Sequence, residues 1–179
     1  MVIDLPAGIA VLRDFVNTTD HETGSDDLTT PAKLAAHLRS AGLCSPSSSA
    51  SADGLLLARR LRAGLRRALE QNHAGEHGAL PELRAVLRQL PVGLDWNVSG
   101  AALQPTKGGV PGALARIGLA AQAAGVDGTW HRLKICSSDE CEWAYFDHSK
   151  NRSRNWCEYG CGNKLKTRAY RARQRSKIA

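Results

Sequence analysis

Cys136-Ser137-Ser138-Asp139-Glu140-Cys141 and, after fifteen intervening residues, Cys157-Glu158-Tyr159-Gly160-Cys161-Gly162-Asn163-Lys164 are the stretch on which the reading of this 179-residue chain turns. Two closely spaced cysteine pairs joined by a short bridge have the spacing of a tetrahedral four-thiolate zinc site, each pair supplying two ligands from one turn. Only Cys44, in a Ser-rich loop, stands apart from them. An all-cysteine ligand set leaves no open coordination position, so the expected ion is a single structural Zn2+ per chain, held by Cys136, Cys141, Cys157 and Cys161. His131 and His148 are spare imidazoles nearby. The last fifty residues carry few large apolar groups, and a metal would replace the core they cannot build. A knuckle, a strand pair near Trp143-Ala144-Tyr145-Phe146, and a helix opening at the second pair make a treble-clef-like finger.

Working outward, charge divides the chain in the same place. Residues 1–129 hold 12 Lys/Arg and 12 Asp/Glu, whereas residues 130–179 hold 12 Lys/Arg and 5 Asp/Glu; the whole excess of +7 lies at the C-terminal end. Such asymmetry points to an anionic partner, nucleic acid before membrane, because no apolar anchor accompanies the charge. Lys164 to Lys177 reads as a helix with seven positive charges and no acid. At 100° per residue, Lys164, Arg168, Arg171 and Arg175 form one stripe, and Lys166, Arg173 and Lys177 a second, nearly opposite. Leu165, Ala169, Ala172 and Ser176 lie between them on the side expected to pack on the finger. Thr167, Tyr170 and Gln174 lie on the other side, uncharged and able to hydrogen-bond. Basic stripes suit the phosphates of double-stranded DNA, and the polar face between them suits base edges. Arg152 and Arg154, just before Cys157, join the candidate contacts. A solvated basic helix with no specific partner is the competing reading.

Upstream, helical periodicity dominates. Helices are expected over Ile9–Thr19, from Thr30-Pro31 to Gly42, from Asp53 to about Asn72, over Leu80–Leu90 and over Ala113–Ala124. Leu94, Trp96 and Val98 alternate with polar residues, and this predicts a small hairpin over Val92–Leu103. The fold class is therefore mainly α with a small β-hairpin insertion at residues 1–127, followed by the finger at 130–179. Arg59, Arg60, Arg62, Arg66 and Arg67 decorate the long helix. They serve either as a second anion contact or, more ordinarily, as partners for the acidic loop Asp20–Asp27. His73-x3-His77 has metal-like spacing within a glycine-containing turn. No apolar run approaches the roughly 20 residues of a membrane span. The opening Met1-Val2-Ile3-Asp4 lacks the basic-then-apolar order of a signal peptide, so a cytoplasmic, nucleoid-associated protein is expected. No Ser-His-Asp pattern, phosphate loop or HExxH occurs, and no enzymatic activity is expected.

The C-terminal stretch resembles the CGNR zinc-finger family, whose members carry an N-terminal ABATE domain. The resemblance rests on Arg132-Leu133-Lys134-Ile135-Cys136, Cys141-Glu142-Trp143, Phe146-Asp147-His148-Ser149, Asn151 to Cys157, Cys161-Gly162-Asn163-Lys164 and Lys166-Thr167-Arg168-Ala169-Tyr170-Arg171-Ala172-Arg173. Asp14-Phe15-Val16-Asn17-Thr18 resembles the family's opening motif. It implies a stress-induced transcription regulator, and the first domain is expected to sense a small-molecule effector or form a homodimer. Lys164 departs from the signature's Arg, keeping the charge but losing the forked geometry. Two rivals stay open: an RNA-binding protein using the same helix, and a small-molecule-binding protein or enzyme whose finger is only a structural or docking module.

Overall fold

The computed structural model describes residues 5–98 and 100–176. Helix α1 (Ala7–Val16) buries Ile9, Leu12, Phe15 and Val16. The acidic loop that follows is not plain coil. Thr19–Asp20 (β1) pairs with Ser25–Asp26 (β2), closed by Asp20 Oδ1 accepting from the backbone N–H of Glu22. Helix α2 (Pro31–Ser40) starts as its sequence predicts: Thr30 Oγ1 accepts from Lys33 N, and Pro31 opens the first turn.

Helix α3 (Ala52–Ala74) is the spine, burying Leu55, Ala58, Leu61, Leu65, Ala68 and Leu69. Its N-cap is Ser51, whose Oγ accepts from Gly54 N at 3.1 Å. Asp53, expected as the cap, sits instead in the first turn, where its charge complements the helix dipole. Helix α4 (Pro81–Leu87) is shorter than its periodic run, and β3 (Val92–Asn97) pairs antiparallel with β4 (Gly100–Pro105). Helix α5 begins at Gly109 and runs to Val126; Gly108-Gly109 gives no side-chain cap, which is why the sequence pattern places its start too late.

A 3₁₀ turn (Trp130–Arg132) then delivers the chain to β5 (Leu133–Ile135), which pairs with β6 (Ala144–Phe146). The apolar core is continuous across the turn that separates the helices from the finger, for Leu133, Ile135 and Ala144 belong to the same buried cluster as α1, α3 and α5. Asn17 stitches this junction. Its side chain donates to Ala144 O at 2.9 Å and accepts from Ala144 N at 2.8 Å, standing in for a third strand. Asn72 Nδ2 donates to Trp130 O and Leu133 O. Among the described residues, no helix is long and apolar enough to cross a membrane.

The arginines of α3 mostly hold this frame together. Arg59 donates to the carbonyls of Leu28 and Thr29, Arg66 to those of Glu142 and Val16, and Arg67 pairs with Glu70. Arg62 forks onto Asp26 at 2.7 and 2.8 Å. The Arg62 hydrogen bond holds the Asp26 carboxyl down to about 2, partial burial opposing it. A lowered native pKa stabilises the fold fully above about pH 4, and that contribution is lost as pH falls through about 2. After allowing for solvent screening, wild type should exceed Asp26→Asn by about 1 kcal/mol at neutral pH. Urea denaturation of both proteins between neutral pH and pH 3 should show the gap closing; a gap independent of pH would contradict this assignment.

Candidate metal centre and nucleic-acid face

Cys136 follows β5 directly, and its backbone N–H donates to Trp143 O at 2.9 Å. Cys141 closes the first knuckle, with its own N–H on Ser138 O. Glu142 next adopts φ 47, a left-handed conformation that costs a non-glycine residue roughly 1 kcal/mol and swings the chain into β6. Cys157 ends the loop from β6, and Cys161 is the first residue of α6 (Cys161–Ser176). All four Sγ atoms lie within 4.8 Å of one another and all four residues are buried. The Cys141–Cys157 and Cys157–Cys161 sulfurs are 3.7 and 3.6 Å apart. A tetrahedral ZnS4 centre with bonds of ~2.3 Å needs sulfurs ~3.8 Å apart, so the ligand set fits. Burial pushes the Cys141 thiol up to about 12 and raises that of Cys157 as well. Thiols raised in this way become thiolates only beside a compensating cation. These residues fit one structural zinc ion.

The shell around them is specific. Tyr145, Trp143 and Trp156 pack on the cysteines. A Cβ on Gly162 would lie 3.1 Å from the Trp156 ring, so glycine at this position of the signature lets the indole lie close against the start of α6. Tyr145 donates its hydroxyl to Arg154 O, and the Arg154 guanidinium stands 5.8 Å from the Tyr145 ring centre while Nε donates to Trp156 O. Arg154 is thus committed to the finger itself. Beneath the loop, Lys134 Nζ meets buried Asp147 Oδ2 at 2.9 Å. Asp147 also accepts from Ser149 N, Ser149 Oγ and Arg154 N. Of these partners only Arg154 is singled out by charge in the sequence, as a nucleic-acid contact; a buried Lys/Asp pair thirteen residues apart leaves no local signal. His148 lies edge-on to Phe146 and His131 edge-on to His77, both outside the sulfur cluster. His73 reaches Ser137 Oγ at 2.8 Å.

Helix α6 leaves the finger. Leu165 is half-buried, but Ala169 and Ala172, expected to pack on the finger, are exposed, as are Lys164, Lys166, Thr167, Arg168, Tyr170, Arg171, Arg173, Gln174 and Arg175. The finger is too small to cover more than the first turn. Lys177 lies outside the described residues. Lys164, Thr167, Arg168 and Arg171 line an open groove of about 410 Å3 with Tyr159. Arg168 pairs with Glu140 at 2.7 Å, and Lys164 stands 3.5 Å from Glu22 of the β1–β2 turn. Arg152 adopts φ 52 and is exposed beside the same module, with its carbonyl accepting from Lys134 Nζ.

Two family models match the chain. The CGNR zinc finger covers residues 132–174, the segment that carries all four cysteines and most of α6. ABATE, described as "Putative stress-induced transcription regulator", covers residues 10–129. No curated relative matches the chain. With one model spanning well over half its length and the other taking up most of the remainder, the chain belongs to the ABATE family and carries a CGNR zinc finger at its C-terminal end.

Proposed function

We propose that this protein is a DNA-binding transcription regulator in which the zinc-ordered finger presents α6 to duplex DNA. The observation that carries the reading is the exposure of α6 beyond Leu165, with basic residues on two stripes and no acid of its own. A helix that buries almost nothing contributes little to its own fold, and a major groove about 12 Å wide accepts such a cylinder whole. Its N-terminus is fixed by Cys161, so the metal sets the angle at which it projects. The four-cysteine ligand set has no open position, and the reading assigns the protein no catalysis. An open cleft of about 520 Å3 near the starts of α3 and α5, lined in part by Asp53, Gln89 and Lys107, has room for a small effector. Such a regulator works on the nucleoid, in the cytoplasm.

Lys164 and Arg168 are already paired with acids of the chain, whereas Arg171 and Arg175 lie further out along the same stripe. They are therefore assigned to phosphates. Tyr170 and Gln174 are assigned to base edges. Gln174→Ala should weaken binding to a selected duplex by about 1–3 kcal/mol and barely affect random DNA. Arg175→Ala should weaken both alike. Titration of both variants on both duplexes checks this, and equal losses throughout would leave a nonspecific basic helix. Competition between duplex DNA and structured RNA at fixed salt should favour the duplex; preference for RNA would move the same helix to the other partner.

A further inference from the structure

The β3–β4 hairpin is built inside out. Leu94 and Trp96 are 73% and 80% exposed, Val98 is fully exposed, and Val92 and Leu103 also lie on the surface. The opposite face carries Gly93, Asp95, Ala102 and Gln104. The apolar residues of a half-buried strand ordinarily face the core, whereas Leu94, Trp96 and Val98 face outward. On the other face a Cβ at Gly93 would lie 2.7 Å from Thr106 Cγ2, so glycine there lets that side chain lie against the strand. Backbone bonds from Thr106 N to Pro91 O and from Val92 N to Leu90 O fasten the base of the hairpin in this orientation.

The outward face runs Val92, Leu94 and Trp96 on one strand and Pro105, Leu103 and Ala101 opposite them on the other. No ionisable side chain lies on it; Asp95, the one acid or base between Val92 and Pro105, points the other way. The exposed apolar side chains amount to roughly 600 Å2, the upper end of what a monomer ordinarily shows. We propose that two copies of the chain pair through this face about a two-fold axis. An uncharged surface is complementary to itself, with no like charges brought together by the symmetry. Two such faces bury roughly 1,200 Å2, which reaches the range of specific interfaces, and homodimer interfaces are the apolar ones. Trp96, large and central on the strand pair, is the anchor. This pairing is independent of what α6 binds.

Sedimentation velocity of the full, zinc-loaded chain at about 10 µM should give the mass of a dimer. Leu94→Asp combined with Trp96→Asp should halve that mass and leave zinc content and helical circular dichroism unchanged. Trp96→Lys alone changes a side chain with little packing to lose, and should raise the dissociation constant by about 100-fold or more, keeping the test readable if the double variant aggregates. Gln104→Lys, on the reverse face, should leave the dimer intact. A wild-type monomer at this concentration would overturn the proposal, whether or not a different protein co-purifies on the hairpin. So would a dimer that survives Trp96→Lys.

Discussion

Stripping zinc with a chelator, or replacing Cys157 by Ser, is expected to unfold more than the finger. Structural zinc of this kind contributes about 10–16 kcal/mol of binding free energy, as much as the whole stability of an ordinary domain. Cys136 and Cys141 lie in the connection between β5 and β6, whose Leu133, Ile135 and Ala144 lie in the helical core. Release of the metal frees the β5–β6 connection, and the loss of these side chains uncovers α3 and α1. Helical circular dichroism should therefore fall by more than the sixteen residues of α6 can account for. Metal analysis should return one zinc per chain, and Cys44→Ser, whose thiol packs at the edge of the core away from the cluster, should keep it. A purified chain without zinc and with four freely reactive thiols would contradict the account, as would a helical signal untouched by chelation.

Asp147→Ala should be the most damaging change outside the ligands, at about 3–5 kcal/mol. Burial by itself would raise the carboxyl; the hydrogen bonds from Ser149 and from Lys134 outweigh it and hold the group at about 2. Truncation leaves the Lys134 ammonium, 7% exposed, without its counter-charge and strands the Arg154 N–H that the carboxylate receives. The loop from Ser149 to Arg154, which delivers Cys157, loses its anchor at the same time. Lys134→Met should cost less, because the buried carboxylate it leaves behind keeps its hydrogen bonds from Ser149 N, Ser149 Oγ and Arg154 N. Combining the two should show a coupling of about 1–3 kcal/mol in urea denaturation. Strictly additive effects would mean that the two side chains do not act as a pair.

What the sequence revealed follows the range of each interaction. Cysteine spacing, the Thr30-Pro31 start of α2 and the strand pairing of β3 with β4 are local patterns, and the structure has them where the pattern puts them. Contacts that join the finger to the helices are not local. Asn17 meets Ala144 across 127 residues and Arg66 meets Glu142 across 76, and neither pair carries a periodic signal. The family's Asp14-to-Thr18 motif thereby acquires a structural reason at Asn17: it hydrogen-bonds the finger hairpin in place of a third strand. Orientation was equally hidden. Alternation fixes which residues of β3 share a face but not whether that face looks inward, and here Leu94 and Trp96 look outward. The packing side of α6 failed for a related reason, since the wheel shows where Ala169 and Ala172 lie but not that the finger ends before reaching them.

Duplex affinity measured against salt concentration for the wild-type chain and for Arg171→Ala tests the role of α6 most directly. Counterion release gives log affinity a negative slope of about 0.9 for each phosphate neutralised, so wild-type binding should weaken steeply with salt and the variant's slope should be flatter by about one unit. Duplex binding that ignores salt, or an Arg171→Ala slope equal to that of wild type, would contradict the assignment of this helix to DNA.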